Sequence, residues 1–369
     1  MKNVIIVGGG LAGLISAIRL AKAGIEVVLF EKKKYPFNRV CGEYISNETL
    51  PFLKANGLYP ELFNPPQIQR LQLTSVNGKS AELPLDLGGF GVSRYQFDHF
   101  LFEKAKEAGV SFYLSTEIDE IIFEENHFIV KNSSQSFKTD VVIGSFGKRS
   151  KLDVSLHRSF IQRHSPYVGV KYHVKSNHPV DLISLHNFKA GYCGVCAIED
   201  GKTNLCYLTH RNNLKRFKNI PEMEQSILYQ NPFLKSIFSQ SQFVFEKPEV
   251  INEISFETKS PIKNHILMTG DAAGMITPLC GNGMAIAIRS AKMVSELATS
   301  FCSGEITRVQ MEEMYKAQWT SQFATRLWAG RKIQHLFGSE WTSDLVVNVA
   351  RNMKSAARFL VSQTHGNPF

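Results

Sequence analysis

The sequence predicts an α/β fold with a Rossmann-like nucleotide-binding unit formed by two distant parts of the chain. An apolar run at residues 4–7 ends in glycines and passes directly into a helical pattern, and residues 266–294 repeat this strand–loop–helix order. Between these units, strand patterns recur over residues 167–209, which indicates an inserted, mostly antiparallel sheet. A helical pattern covers residues 307–369, so we expect a helical C-terminal region.

The first loop has the spacing of a dinucleotide-binding fingerprint. Gly8, Gly10 and Gly13 fit G-x-G-x-x-G, with Leu11 and Ala12 between them. The first glycine allows a tight turn, the second lets the backbone approach a pyrophosphate, and the third lets the helix pack closely on the strand. An ordinary turn between a strand and a helix is the alternative, which the strand–turn–helix–strand context disfavours.

An acidic residue stands where such a unit holds a ribose. Glu31 follows the second strand pattern, at residues 26–30, about 20 residues beyond the glycines. A carboxylate here accepts hydrogen bonds from ribose hydroxyls and repels a 2′-phosphate, which favours FAD or NAD over NADP. Lys32 is the first of three consecutive lysines. We expect Lys32 to contact the cofactor and the other two to be solvated.

Length and composition exclude several classes of protein. The chain has 369 residues, 43% hydrophobic and 20% charged, so we expect a globular protein of two packed domains. Its net charge of +9 is spread out, which speaks against nucleic-acid binding and leaves a peripheral contact with an anionic membrane open. Six scattered cysteines without a secretory signal indicate a reducing, cytoplasmic location. We find no apolar segment long enough to span a bilayer.

Motifs beyond the second strand pattern resemble a known family. Arg39 precedes a Cys41-Gly42 pair, Arg94 opens an Arg-x-x-Phe-Asp helix start, and Gly147 follows a strand pattern at residues 140–144. These features are similar to FAD-dependent oxidoreductases of the p-hydroxybenzoate hydroxylase-like superfamily, and within it to the geranylgeranyl reductase-like branch. The resemblance implies that Arg39 and Cys41 lie beside the flavin and that Arg94 reaches its phosphate–ribose side. Cys41 is either a catalytic thiol that supplies or relays a proton, or a small buried residue.

The second strand–loop–helix unit carries the other half of this resemblance. Its strand ends in Gly270-Asp271, and the following loop supplies Pro278, Gly281, Asn282, Gly283 and Met284. In the superfamily the aspartate binds the ribityl chain and the loop meets the pyrimidine edge of the flavin, so the resemblance implies these roles here. Backbone N–H groups at the helix start suit the negative charge of a reduced flavin ring.

The chain departs from the hydroxylases of the superfamily at two positions. Phe146 replaces the aspartate of a Gly-Ala-Asp-Gly pattern, and Gly274 stands where those enzymes usually have histidine. The first departure speaks against NADPH use by the hydroxylase route, which leaves NAD(P)H as a transient electron donor. Ile118, which opens a strand pattern over residues 118–123, completes the expected cofactor contacts.

Two tight turns are expected in the middle of the chain. Asn77-Gly78, between strand patterns at residues 70–76 and 79–83, predicts a hairpin that ends at Pro84. Asp200-Gly201 predicts a second hairpin, joining strand patterns at residues 192–198 and 204–209.

Two further patterns leave alternatives open. Cys193 and Cys196 have the spacing of a redox or metal pair, but they lie within a strand pattern without a second ligand pair, so we predict no metal site. The aromatic residues of the tail favour core packing, as with Trp319 and Trp341. The alternative is an apolar lid or a membrane-facing surface, with interleaved charge from Arg326, Arg331, Lys332, Lys354 and Arg358.

Together these patterns predict a Rossmann-like FAD-binding domain of the p-hydroxybenzoate hydroxylase type, with an inserted, mostly antiparallel β-sheet substrate domain and a C-terminal helical region. We assign residues 1–65, 90–150 and 260–300 to the first, 66–89 and 151–259 to the second, and 301–369 to the third. The expected function is FAD-dependent reduction or dehydrogenation of a bulky, largely apolar small molecule by hydride transfer. An FAD-dependent monooxygenase and a non-catalytic flavin-binding protein are the alternatives.

Overall fold

The computed structural model describes residues 2–163, 165–252, 254–277, 281–334 and 336–369. The strands are, in chain order, β1 (Asn3–Val7), β2 (Glu26–Glu31), β3 (Tyr44–Ser46), β4 (Gln67–Thr74), β5 (Ser80–Gly91), β6 (Ser111–Leu114), β7 (Glu120–Glu124), β8 (His127–Lys131), β9 (Ser136–Thr139), β10 (Val141–Gly144), β11 (Tyr167–Lys175), β12 (Leu182–Phe188), β13 (Gly191–Ala197), β14 (Thr203–His210), β15 (Gln242–Phe243), β16 (Glu249–Ile251), β17 (Ile262–Lys263) and β18 (Ile266–Met268). The α-helices are α1 (Leu11–Lys22), α2 (Leu50–Ala55), α3 (Arg94–Glu107), α4 (Lys151–Ser155), α5 (Arg211–Lys215), α6 (Ile220–Ile227), α7 (Pro232–Gln240), α8 (Gly283–Cys302), α9 (Arg308–Gln334), α10 (Glu340–Asn352) and α11 (Lys354–Ser362).

The first sheet joins strands from the beginning of the chain to strands from residues 141–144 and 262–268. Its order is β17-β18-β10-β1-β2-β6, and all pairs are parallel except β17 with β18. Residues 4–7 are buried because helices cover such a sheet, and this burial explains their continuous apolar run. Helix α1 packs against both α3 and α8. The predicted Rossmann-like unit is therefore confirmed.

The second sheet has the order β15-β11-β14-β13-β12-β4-β5-β3, with β16 also paired to β11. Its pairs are antiparallel except β12 with β4, so the prediction of a mostly antiparallel sheet is confirmed. Asp200 and Gly201 have φ of 59° and 65°, as a tight hairpin turn requires, and they join β13 to β14 as predicted. One face of β11, β13 and β14 packs against α6 and α7.

The hairpin of β4 and β5 is longer than predicted. Pro84 was expected to end the second strand, but β5 continues to Gly91 and pairs with β3. Pro84 lies opposite Arg70 at a register shift in the pairing, and proline tolerates such a position because its missing N–H removes no regular ladder bond. Residues 44–46 thus join the second sheet, although they lie within the segment that we assigned to the cofactor domain. How the chain divides into separate domains stays a prediction.

Ile118 does not begin a strand, contrary to the prediction. The strand starts at Glu120, and β7, β8 and β9 form a separate three-stranded sheet. Ile118 is instead a buried loop residue that packs in the main core.

The C-terminal region is helical, as predicted, and it divides its aromatic residues between core and surface. Trp319 and Phe323 are buried in the core, whereas the exposed fractions of Trp341 and Phe359 are 74% and 63%. Arg326 does not belong to a basic surface, because it is buried and its guanidinium is bonded to Glu48. The side chain of Lys354 lies outside the described part of the chain. Among the described helices, none has the length and apolar character needed to cross a membrane.

Candidate cofactor site and active site

A cavity of about 560 Å³ lies between the two sheets. On one side it meets the carboxyl ends of β1, β2 and β10, through Val7, Glu31 and Ser145. On the other side it meets β12, β13 and β14. In open α/β sheets, ligands bind outside the carboxyl ends of the strands, so the cavity has the position of a cofactor site.

The structure brings most of the predicted cofactor residues together. Those that line the cavity are Gly8, Gly10, Leu11, Ala12, Glu31, Lys32, Arg39, Cys41, Arg94, Ile118, Gly147, Gly270, Asp271, Gly281, Gly283 and Met284. Gly13 and Asn282 lie behind this lining. The Asn282 amide donates to the backbone carbonyl of Thr364 at 2.6 Å, so it holds the loop from the rear. Pro278 lies outside the described residues.

The glycine loop is packed so tightly that side chains would not fit. Gly8 has a φ of +106°, and a Cβ there would overlap the backbone of Ser145. A Cβ at Gly13 would overlap the carbonyl oxygen of Gly8. These overlaps agree with the expected roles of the first and third glycines, which are a tight turn and a close helix–strand contact.

Two helices begin at this cavity without a capping side chain. The N-caps of α1 and α8 are Gly10 and Asn282; neither makes a side-chain capping bond, and neither helix has an acidic residue in its first turn. By contrast, Ser93 caps α3 and Ser150 caps α4. Among the described residues no side chain caps these first turns, so the N–H groups of α1 and α8 suit an anionic ligand with negative charge at two separated points.

The Glu31 carboxylate is hydrogen-bonded to the backbone of the glycine loop. It accepts a hydrogen bond from Gly9 N at 2.8 Å and another from Lys33 N at 3.0 Å. The Arg39 guanidinium lies 3.3 Å from the same carboxylate. A carboxylate has about four acceptor positions, so a ribose interaction is compatible with these bonds and stays a prediction.

The two predicted arginines share the carboxylate of Asp98, the last residue of the Arg-x-x-Phe-Asp motif, and the sequence did not predict this pairing. Arg94 contacts both oxygens of Asp98, at 2.7 and 2.8 Å, and Arg39 contacts one of them at 3.0 Å. Asp98 follows Arg94 by four residues on α3, the spacing at which helical side chains meet. A Cβ on Gly10 would lie 3.7 Å from the Arg94 guanidinium, so this cation stands directly beside the glycine loop.

The loops of the two strand–loop–helix units lie next to each other, because a Cβ on Gly270 would lie 3.3 Å from the Cβ of Ala12. The second loop also lies against β3, since a Cβ on Gly281 would lie 3.0 Å from the Tyr44 ring. Burial raises the pKa of Asp271, against the lowering effect of nearby Lys259. Burial also lowers the pKa of Lys259 to about 8, and its ammonium donates to the Asp271 carbonyl at 2.9 Å.

The segment that carries Cys41 is tied to the second sheet. Asn204 donates to the Cys41 carbonyl at 3.0 Å, and Lys171 donates to the Arg39 carbonyl at 3.1 Å. Burial raises the pKa of the Cys41 thiol, while the Arg94 guanidinium acts in the lowering direction. The thiol is therefore protonated at neutral pH, which suits a proton donor and not a nucleophile.

Sequence reasoning missed a buried ionic cluster beside Cys41. Glu43 and Lys171 are both fully buried, and the Lys171 ammonium lies 2.5 Å from Glu43 Oε1. His173 Nε2 lies 2.6 Å from Glu43 Oε2. Burial alone would raise the pKa of Glu43, but Lys171 and His173 outweigh it and hold the pKa below its ordinary value. The available signal was Lys171 and His173, two polar residues two positions apart in the interior of the largely apolar strand β11.

The sequence matches the family model described as FAD binding domain over residues 1–317. The chain belongs to this FAD-binding family. It is an FAD-dependent oxidoreductase by family, and the glycine cradle with its two uncapped helix starts fits FAD.

Of three individual proteins that resemble this FAD-binding protein, two carry names of the predicted branch and one is named a monooxygenase. A digeranylgeranylglycerophospholipid reductase of Methanosarcina acetivorans is 24% identical, over 86% of this chain and 80% of its own length. A geranylgeranyl bacteriochlorophyll reductase-like structure from Thermoplasma acidophilum aligns with a TM-score of 0.79, at 17% identity, over 100% of this chain and 96% of its own. A probable FAD-dependent monooxygenase from Pseudomonas aeruginosa aligns with a TM-score of 0.76, at 16% identity, over 94% of this chain and 99% of its own. The resemblance to the geranylgeranyl reductase-like branch is confirmed; the roles of individual residues stay predictions.

Proposed function

We propose that this protein is an FAD-dependent reductase that transfers a hydride to a carbon–carbon double bond of an isoprenoid-type substrate. The observation that carries the proposal is an apolar part of the cavity wall. It is formed by the side chains of Leu185, Leu208, Ile254 and Met275, which pack in one cluster. The names of the archaeal relative and of the Thermoplasma structure support the same substrate class.

The FAD, when bound, supplies the hydride chemistry. The chain's own contribution begins at the N-terminus of α8, whose N–H groups at the cavity wall would favour negative charge on a bound flavin. The apolar walls exclude water from the reacting double bond. Cys41 then donates the proton from its neutral thiol, and Asn204 holds that residue in place through its carbonyl.

The first experiment separates a reductase from a monooxygenase. The protein is reduced chemically without oxygen, mixed with geranylgeraniol, and the product is weighed by mass spectrometry. A gain of two hydrogens supports the proposal. Turnover only after oxygen is admitted, with one oxygen atom added, would establish the monooxygenase, and absence of turnover with linear and ring-bearing isoprenoids alike would favour a non-catalytic flavin-binding protein.

A second experiment separates the proton-donor role of Cys41 from a packing role. In Cys41→Ala we expect full FAD content and a rate of substrate reduction that is lower by about 100-fold or more, because a positioned general acid contributes that much. A solvent deuterium isotope effect on the wild-type rate should disappear in the variant. An unchanged rate with a lower melting temperature would mean that Cys41 only fills space.

A peripheral membrane contact is part of the proposal, because isoprenoid lipids reside in membranes. Trp328, Trp341 and Phe359 are exposed on the tail helices, and Arg331 and Lys332 lie on the same helix as Trp328. Aromatic and basic residues together suit the interface of an anionic bilayer. Sedimentation with phosphatidylglycerol vesicles tests this, with phosphatidylcholine vesicles as the control. Trp341→Ser should release the protein if the contact is real, whereas equal binding to both vesicle types would refute it.

A further inference from the structure

The floor of the cavity on the second sheet is unusually open. A row of paired residues crosses four strands: Lys171 of β11, Cys206 of β14, Gly194 of β13 and Leu185 of β12. Every residue of β13 is buried except Gly194, which is half-buried, and its partner Cys206 is half-buried as well. Both line the cavity, so the sheet is accessible from inside at this pair.

Packing does not require a glycine at position 194. A Cβ there would meet only the Cys206 carbonyl oxygen at 3.6 Å and a Leu185 methyl at 3.8 Å, both ordinary contacts. At Gly191 and Gly91, by contrast, a Cβ would overlap neighbouring backbone atoms. The backbone of Gly194 is also outside the left-handed region that favours glycine. A glycine inside a strand often marks a bulge, a tight bend or the close approach of a ligand or another backbone. The pairing of β13 with β12 and β14 is regular at Gly194, which excludes a bulge, and we interpret this glycine as a point of ligand approach.

We propose that Gly194 and Cys206 form the seat for the reacting end of the substrate, and that this end is a flat ring or a similarly wide group. The inference rests on the proposed function and names the substrate class more closely. Protein interiors are close-packed, and a slender chain above Gly194 would leave the space of the missing side chain empty. A ring-ended isoprenoid fills that space against the apolar walls of Leu185, Tyr192 and Leu208.

The row also limits which polar groups meet the substrate. Lys171 is directed to Glu43 and to the Arg39 carbonyl, so its ammonium is engaged away from the floor. Burial raises the pKa of Cys206, which keeps its thiol neutral. The seat is therefore uncharged, and it selects substrates by the width of the group that it holds and not by their charge.

The test compares a ring-ended probe, retinol, with a linear probe, geranylgeraniol, by equilibrium dialysis against the FAD-loaded protein. Wild type should bind retinol more tightly than geranylgeraniol. In Gly194→Leu we expect roughly tenfold or more loss of retinol affinity, because pocket discrimination by a few methylene groups has that size. Geranylgeraniol affinity and FAD content should stay within about twofold of wild type.

Gly194→Ala and Cys206→Leu keep the test decisive if Gly194→Leu fails to fold. The alanine Cβ makes only ordinary contacts, so this variant should fold and show a smaller loss in the same direction. Cys206→Leu narrows the seat from the neighbouring strand and should also discriminate against retinol. An equal loss of both probes, a loss of FAD, or absence of retinol binding to wild type would overturn the inference.

The result is distinct from that of the proposed function. Selective retinol binding without hydride transfer to either probe would support the wide seat and overturn the reductase. Reduction of geranylgeraniol without any preference for ring-ended probes would support the reductase and overturn the wide seat.

Discussion

Replacing Lys171 with methionine should destabilise the protein in a manner that depends on pH. Lys171 and Glu43 are fully buried 2.5 Å apart. In Lys171→Met the Glu43 carboxylate stays buried, and its close partners in the described part of the chain are then His173 and the backbone N–H of Arg94. Removing one partner of a buried pair costs about 3–5 kcal/mol of unfolding free energy, because an uncompensated charge remains. We expect a loss of this size at pH 8.

The pH dependence follows from the pKa of Glu43. In the wild type Lys171 holds the pKa of Glu43 below its ordinary value. The ion pair therefore stabilises the fold fully at any pH above the pKa that Glu43 has in the unfolded chain. This stabilisation is lost as the pH falls through the pKa that Glu43 has in the folded protein. In Lys171→Met burial dominates and raises the folded pKa above the unfolded one. The variant's folded state then binds more protons, so its deficit should shrink as pH falls from 8 toward 5.

Urea unfolding of the FAD-loaded protein at several pH values measures these differences. Lys79→Met is the matched control, because Lys79 also forms an ion pair, with Asp344, but this pair is partly exposed to solvent. The exposed fraction is 45% for the Lys79 side chain and 22% for the Asp344 side chain. That variant should lose only about 0–1 kcal/mol. The double variant Glu43→Gln/Lys171→Met should recover much of the loss, because no charge is left buried. A deficit in Lys171→Met that is no larger than in the control, or that is constant with pH, would refute the reasoning.

Three further predictions address the cofactor loop, the tail and a second buried carboxyl group. Gly13→Val should release FAD, measured as flavin absorbance after gel filtration, because its side chain would overlap the Gly8 carbonyl; full flavin content would contradict this. Deletion of residues 364–369 removes the acceptor of Asn282 and should weaken FAD retention, whereas unchanged dissociation kinetics would show that the loop holds itself. Burial raises the pKa of Glu224 from 4.5 to about 7, so its ionisation penalty is complete above pH 7 and is relieved as pH falls toward 4.5. Glu224→Gln should flatten the pH dependence of the unfolding free energy in this window, and an unchanged slope would exclude Glu224 as its source.

Local patterns determined the parts of the fold that depend on near neighbours in the sequence. The glycine spacing of the first loop and the Asp200-Gly201 turn were predictable, because each requires a backbone conformation that few residues adopt. The start of α8 at Gly283 followed from the same kind of evidence. These signals act over about ten residues or fewer, so they survive without knowledge of the rest of the chain.

Contacts between distant residues were decided only by the tertiary structure. Glu43 and Lys171 are 128 positions apart, and each alone looks like a surface charge. The alternative interpretation of the tail placed Arg326 on a basic surface, but Glu48, 278 positions away, holds it inside the protein. Burial of a charged group depends on whether an opposite charge arrives at the same place, which no local pattern encodes. Likewise, nothing in the local sequence distinguishes Gly194 from other glycines. Only the tertiary structure shows that a side chain would fit at this position.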